Sequence, residues 1–292
     1  MRYNKPPLTF EQQAQKLIDK GLICSKHTLI DRLKAVSYYR LSAYWYPFRT
    51  QNGLLKPDTT LEQIWRRYVF DRQLRLLVMD ATERVEIHIR THITNLHSVE
   101  YGAFGYTRNN TLPNLKSDRH QVLINNIRTS KKSSQESFIN HYNLKYQEEE
   151  HLPLWMASEL MTFGDTLSMY KGLSNDIRRK IAKIYDIHQN VLDSWLHTLL
   201  YTRNLCAHHS RLWNREWAIK PKYPNKDSYW KYLRETNKHR IFGVLSILRH
   251  LQSIIAPQSR WKDRLLELLR NYQDIPLDEM GFPMNWQQSH LL

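Results

Sequence analysis

Across residues 61–96 the chain runs for many turns without a glycine or a proline. Its apolar residues recur at helical spacing: Ile64, Trp65, Tyr68, Leu74, Leu77, Val78, Ala81, Val85, Ile89 and Ile93. A strand would alternate apolar and polar positions every second residue, so this period predicts one long helix. A helix of that length is expected to be the spine of a bundle, its apolar stripe covered by other helices. Thr59 and Glu62 have the spacing of a capping box at its start, after a turn-rich joint of Gln51-Asn52-Gly53 and Pro57-Asp58. Eight glycines and eleven prolines in 292 residues are too few for the tight turns of a β protein. The fold class expected is all-α, and 41% hydrophobic residues suffice for a substantial core.

The segments flanking the spine are helical in pattern too. Thr9 with Gln12 forms a capping box and Gly21 closes the helix that follows. Ser25 caps a second helix carrying Leu29, Ile30, Leu33 and Val36; a third runs through Tyr39, Leu41, Tyr44 and Trp45 to near Pro47. Residues 1–56 are expected to form a helical cap on the core. A DNA-reading helix-turn-helix would favour a turn glycine between the second and third helices, and none is present. Residues 57–215 form the expected core. Residues 102–147 are polar, so a mobile insertion is expected at about 103–147, with one helix around 121–127 and Lys131 and Lys132 to touch RNA. Order resumes with Trp155, Met156, Leu160 and Met161; Gly164 is expected to interrupt that helix and Asp165 to cap its continuation. Ser174 or Asn175 opens another. Residues 216–292 read as a helical extension: an aromatic and prolyl stretch (Trp217, Pro221, Tyr223, Pro224, Tyr229, Trp230), helices around 241–255 and 261–272, and an irregular strap with Trp286.

Lys and Arg total 43 against 28 Asp and Glu, a net charge of +15 with His neutral. Such a surface attracts polyanions and speeds the encounter. Aromatic and basic residues alternate in Tyr38-Tyr39-Arg40 and in Tyr44-Trp45-Tyr46-Pro47-Phe48-Arg49, a pattern that stacks unpaired bases and neutralises phosphates. Cys24 and Cys206 lie far apart and match no zinc spacing. His88 and His92 stand one turn apart but lack the glutamate that a zinc protease places after its first histidine, so no metal or cofactor is expected. With no apolar leader and no run of membrane-spanning length, the expected location is cytoplasmic.

Chemistry concentrates in residues 201–215, Y-T-R-N-L-C-A-H-H-S-R-L-W-N-R. Placed on one helix from 191 to 215, Leu192, Trp195, Leu196, Leu199, Cys206 and Ala207 share the buried face, with Arg203 in its middle. A charge there needs an acidic partner, and Glu83 and Glu86 on the spine are the candidates. The neighbouring stripe collects His197, Asn204, His208, Arg211 and Arg215, with His209 beside it. Guanidinium groups hold phosphodiesters, and imidazole moves protons near neutral pH. In RNA a base can take the 2′-hydroxyl proton so that this oxygen attacks phosphorus, giving a 2′,3′-cyclic phosphate without a metal. Arg203 and Arg211 would stabilise the charge on the non-bridging oxygens, Asn204 would position His208, and a two-fold dimer would supply both acid and base.

R-N-L-C-A-H, Arg203 to His208, resembles the R-x4-H signature of HEPN-domain ribonucleases. The longer string to Arg215 resembles the AbiD/AbiF branch of bacterial abortive-infection proteins. So do Y-Y-R-L-S-A-Y-W-Y-P-F-R at 38–49, F-D-R-Q-L-R-L-L-V-M-D-A-T-E-R-V-E-I-H-I-R at 70–90, L-P-L-W-M-A-S-E-L-M-T-F-G-D at 152–165 and M-G-F-P-M-N-W at 280–286. The resemblance implies an all-α HEPN bundle, a homodimer joined through the motif helices, RNA as ligand, and a toxin-like role in phage defence. It further implies a small structured non-coding RNA as partner. HEPN toxins silenced by nucleotide transfer carry Tyr two positions after the motif His; Ser210 stands there, so that control is not expected. Two other readings remain: a HEPN scaffold that grips RNA through Arg203 and His208 without cutting it, and DNA binding by the N-terminal helices.

Overall fold

The structure is a computed structural model that describes residues 2, 4–225, 230–236 and 239–288; Tyr229 of the aromatic stretch lies outside them. Its spine is α4, Leu61–Tyr101, 41 residues and ~60 Å of continuous helix. The capping box that starts α4 sits one residue later than the spacing of Thr59 and Glu62 suggests. Thr60 accepts from the Gln63 backbone and the Gln63 side chain answers the Thr60 backbone. Thr59 is buried and donates its hydroxyl to the Lys56 carbonyl at 2.7 Å, which removes it from the cap. At the far end Gly102 takes a φ of 80°, where a side chain would be strained, and ends the helix.

Ile64, Phe70, Leu74, Val78, Ala81, Val85, Ile89 and Ile93 are buried along one stripe of α4. Helices cover it from several directions: α3 (Tyr38–Trp45), α8 (Phe163–Gly172), α9 (Asn175–Ile184), α10 (Gln189–Ala207), α12 (Ile241–Ile255) and α13 (Trp261–Asn271). Most of α12 is buried, from Ile241 through Leu248, as expected of a helix apolar on all sides. Gln252 donates to the Ala81 carbonyl at 3.0 Å and the Trp261 indole to the Leu77 carbonyl at 2.8 Å, fixing α12 and α13 on the spine. The remaining α-helices among the described residues are α1 (Phe10–Ile18), α2 (Lys26–Val36), α5 (Ser117–Ser133), α6 (Ser137–Lys145), α7 (Leu154–Ala157) and α11 (Lys231–Glu235). The fold is all-α, with no strand among the described residues. Of two isolated bridges, Ile23 with Thr60 ties the chain after α1 to the foot of α4, and Arg49 with Leu55 closes the turn between α3 and α4.

Two local expectations are corrected. Residues 102–147 hold not one short helix around 121–127 but two helices, α5 and α6. His120, Leu123, Ile124, Ile127, Ile139 and Tyr142 turn inward from them. The polar composition belongs to the outer faces of helices whose inner faces are sparse but apolar. Gly164 does not interrupt a helix; it lies in the first turn of α8. The break falls before it, where Thr162 caps α8 and Asp165 completes the box as the third residue. Between α2 and α3 the turn is made without glycine: Ser37 itself adopts a φ of 64° and accepts from the Arg40 backbone. No helix among the described residues is long and apolar enough to cross a membrane.

Candidate functional site

α10 buries Leu192, Trp195, Leu196 and Leu199 as its period predicts, but two threonines complete the face. Thr198 and Thr202 are fully buried because each donates its hydroxyl up the helix, to Ser194 and Thr198 carbonyls at 3.0 and 2.8 Å. The Thr202 hydroxyl also accepts from the Trp217 indole at 2.8 Å. With Thr202 central, Arg203 moves from the middle of the face to its edge and Ala207 becomes exposed. Arg203 is half-buried, and its Nη1 donates to Asn204 Oδ1 at 3.3 Å.

The expected buried pairing of Arg203 with Glu83 or Glu86 is therefore not formed. Glu83 is exposed. Glu86 pairs with Arg90 at 2.6 Å, and Arg90 also donates to the Met161 carbonyl at 2.9 Å. Burial raises the Glu86 pKa, while the charges of Arg90 and then Arg203 oppose the rise; Arg203 is thus an electrostatic neighbour of Glu86 without being its partner.

The helix also ends earlier than a 191–215 span requires. His208 caps it, His209 turns left-handed with a φ of 56°, the His209 N–H returns to the Cys206 carbonyl and the Ser210 N–H to Leu205. This is a Schellman closure with histidine where glycine is usual. Consequently Arg211 and Arg215 leave the helical stripe that His197, Asn204 and His208 begin. The cause lies on the spine. Asp71, fully buried on α4, accepts from the Leu212 backbone at 3.0 Å and the Trp213 backbone at 2.7 Å, drawing the chain off the helix axis.

Asp71 is the junction of the site. Its other oxygen accepts from the Tyr44 hydroxyl at 2.6 Å and from Arg75 Nη1 at 2.5 Å. Burial pushes the Asp71 pKa up, and Arg75, Tyr44 and the two backbone N–H groups pull against it. Burial likewise opposes the Arg75 charge, but the Asp71 carboxylate holds that guanidinium above its ordinary value. Burial also raises the Tyr44 hydroxyl, which stays a donor. Four donors converge on one carboxylate, so α3, α4 and the chain after α10 are fixed relative to one another. Asp71 and Arg75 were readable, since Asp71 lies on the apolar stripe of the spine with a cation one turn later. The pairing of Tyr44 with them carries no local signal.

Around this junction two arginines cross between segments. Arg40 Nη1 of α3 donates to the His209 carbonyl at 2.7 Å, and Arg211 Nη1 donates back to the Ala43 carbonyl of α3, also at 2.7 Å. Between them opens a cleft of about 210 Å³ lined by Tyr39, Arg40, His208, His209, Ser210 and Arg211. Tyr39 is 88% exposed at its edge, an aromatic face free for stacking that the sequence pattern flagged only as part of a basic-aromatic run. Asn204 is exposed one turn before His208. Among the sequence-selected residues, Arg40, His208, His209 and Arg211 are thus brought together. Arg203 and Asn204 stand on the same helix end, and Arg215 is held at the Arg211 carbonyl, 3.5 Å away. Lys131 and Lys132 line a separate cleft of about 610 Å³ with Arg128 and Asn140, where Lys131 donates to the Glu150 carbonyl. Cys206 is buried, and burial pushes its thiol up to about 12, which disfavours the thiolate. Among the described residues no three His, Cys, Asp or Glu side chains converge as metal ligands.

The protein is thus an all-α helical bundle in which two histidines and two arginines line one cleft. Residues 31–214 match the family model described as Abi-like protein, and the chain belongs to that family of abortive-infection proteins, a phage-defence class. The match opens in α2 and closes at Asn214, so it spans Asp71, α10 and the whole cleft. No curated protein and no solved structure matches the chain.

Proposed function

We propose that the chain is a HEPN-type RNA-binding and RNA-cleaving protein, active without a metal at a site shared by two copies. The observation that carries this reading is the cleft itself: His208 and His209 at the end of α10, facing Arg40 and Arg211, with a buried carboxylate fixing the walls. In that reading the imidazole of His208 takes the proton of a ribose 2′-hydroxyl. The freed oxygen bonds to the adjacent phosphorus, the bond from phosphorus to the 5′-oxygen breaks, and an acid protonates the departing oxygen. The acid is the same histidine of a second copy, since one chain supplies one set of Arg203, Asn204 and His208. Arg211 and Arg203 offset charge on the non-bridging oxygens and Asn204 orients the imidazole or the phosphate. Tyr39 stacks the unpaired base next to the scissile bond. The net charge of +15 and the separate Lys131–Lys132 cleft suit a larger RNA partner, a small structured non-coding RNA.

The test is incubation of purified protein with end-labelled single-stranded RNA in the presence of a chelator, with products examined for 2′,3′-cyclic phosphate. His208→Ala and Arg203→Ala are expected to lose cleavage by about 10²–10⁴-fold while still binding RNA. Arg203→Ala is expected to stay within about 0.5 kcal/mol of wild-type stability, because its side chain lies at the edge of the face. Undiminished cleavage by His208→Ala would remove that residue from the reaction. Binding without cleavage by wild type as well as variant would assign the scaffold role instead. A protein that cleaves as a monomer in sedimentation would overturn the shared site.

A further inference from the structure

Away from the cleft, the spine carries a histidine pair that the reaction does not use. His88 and His92 sit one turn apart on α4, each half-buried, with their rings 4.5 Å apart. Their Nε2 atoms face each other at 3.4 Å. A tetrahedral zinc ion with Zn–N bonds of about 2.0–2.1 Å sets two ligand nitrogens about 3.3–3.4 Å apart. The second observation is on the far side of the His88 ring, where Nδ1 lies 2.6 Å from the hydroxyl of Tyr185, a fully buried residue at the end of α9. With an ion on Nε2, the His88 proton sits on Nδ1 and the Tyr185 oxygen accepts it, the kind of outer hydrogen bond that orients a ligating histidine. We infer that His88 and His92 form a two-histidine binding site for a divalent transition ion of the zinc type, oriented by Tyr185.

Both rings are suited to coordination. Without an ion, one Nε2–H donates to the other Nε2; with an ion on both Nε2 atoms, each ring carries its single proton on Nδ1. Two protein ligands leave two positions for water or for an anionic oxygen, so the expected affinity is that of an open site and not of a structural zinc. Hard ions such as Mg²⁺, which prefer oxygen ligands, are not expected to enter.

Untagged protein freed of metal would be titrated with Zn²⁺ by calorimetry, with Mg²⁺ as comparison. One Zn²⁺ per chain is expected, lost in both His88→Gln and His92→Gln and kept in His141→Gln, which alters an exposed histidine elsewhere. Tyr185→Phe should weaken binding by about tenfold. Retention of the equivalent by either His88→Gln or His92→Gln, or no uptake by the wild type, would overturn the site. Unchanged affinity in Tyr185→Phe would overturn the role of the tyrosine. RNA cleavage is not read in any arm, so the result stands apart from the proposed reaction.

Discussion

Asp71 shows how one side chain can set the geometry of a site it does not line. Its fully buried carboxylate gathers Arg75, Tyr44 and two backbone N–H groups, so each donor depends on the negative charge. Asp71→Asn keeps the volume but leaves the Arg75 guanidinium buried without its counter-charge, and removing one member of such a pair costs about 3–5 kcal/mol. The expected outcome in urea is a lower midpoint with an unchanged slope. The same residue marks the limit of reading single positions. Its place on the apolar stripe was visible, but nothing local connects it to Leu212 and Trp213, 141 and 142 residues away. Thr198 and Thr202 mislead in the opposite direction. As polar residues they look like surface, yet each consumes its own hydroxyl within the helix, and counting them inward is what turns Arg203 outward.

Among the elements, those with strong periodicity and their own caps were legible: α1 with its Thr9 box, α9 with Ser174, and above all α4, which runs to Tyr101. Those whose apolar faces are thin were not, and α5 and α6 hide in a polar stretch because only a few positions per helix turn inward. The end of α10 was missed for a different reason. Glycine or proline would have announced it, but His209 occupies the left-handed position, and the tether at Asp71 compensates for a strain of about 1 kcal/mol. His209→Gly is therefore expected to raise stability by about 1 kcal/mol in chemical denaturation, while His209→Val lowers it. A stabilised His209→Gly variant that binds RNA less tightly would separate the backbone role of this position from its side chain's role in the cleft.

At the scale of the molecule, the long spine means that most helices report on one shared core, and a buried histidine near its C-terminal end makes that core sensitive to acid. His97 is fully buried, its Nε2 3.3 Å from the Thr111 hydroxyl, and burial drives its pKa down to about 4. An unfolded histidine titrates near 6.5, so below that pH the unfolded chain takes up a proton that the folded one refuses. Stability from this group is flat above pH 6.5 and falls as the pH drops toward 4, by up to about 3 kcal/mol. Melting temperatures measured across that window should fall more steeply for wild type than for His97→Gln. All-α class, family and basic surface were legible at this scale because they sum over many residues. The cleft was legible only as a set of side chains, since its walls meet through tertiary contacts.

Those walls have a consequence for the birth of the protein. Arg40 grips the chain at His209 and Arg211 grips back at Ala43, a mutual clasp between partners 169 and 168 residues apart. During translation the first half of the clasp leaves the ribosome long before the second exists. A nascent or prematurely terminated chain therefore has one jaw and nothing to close against. A finished cleft exists only after Arg211 has been made and has reached Ala43.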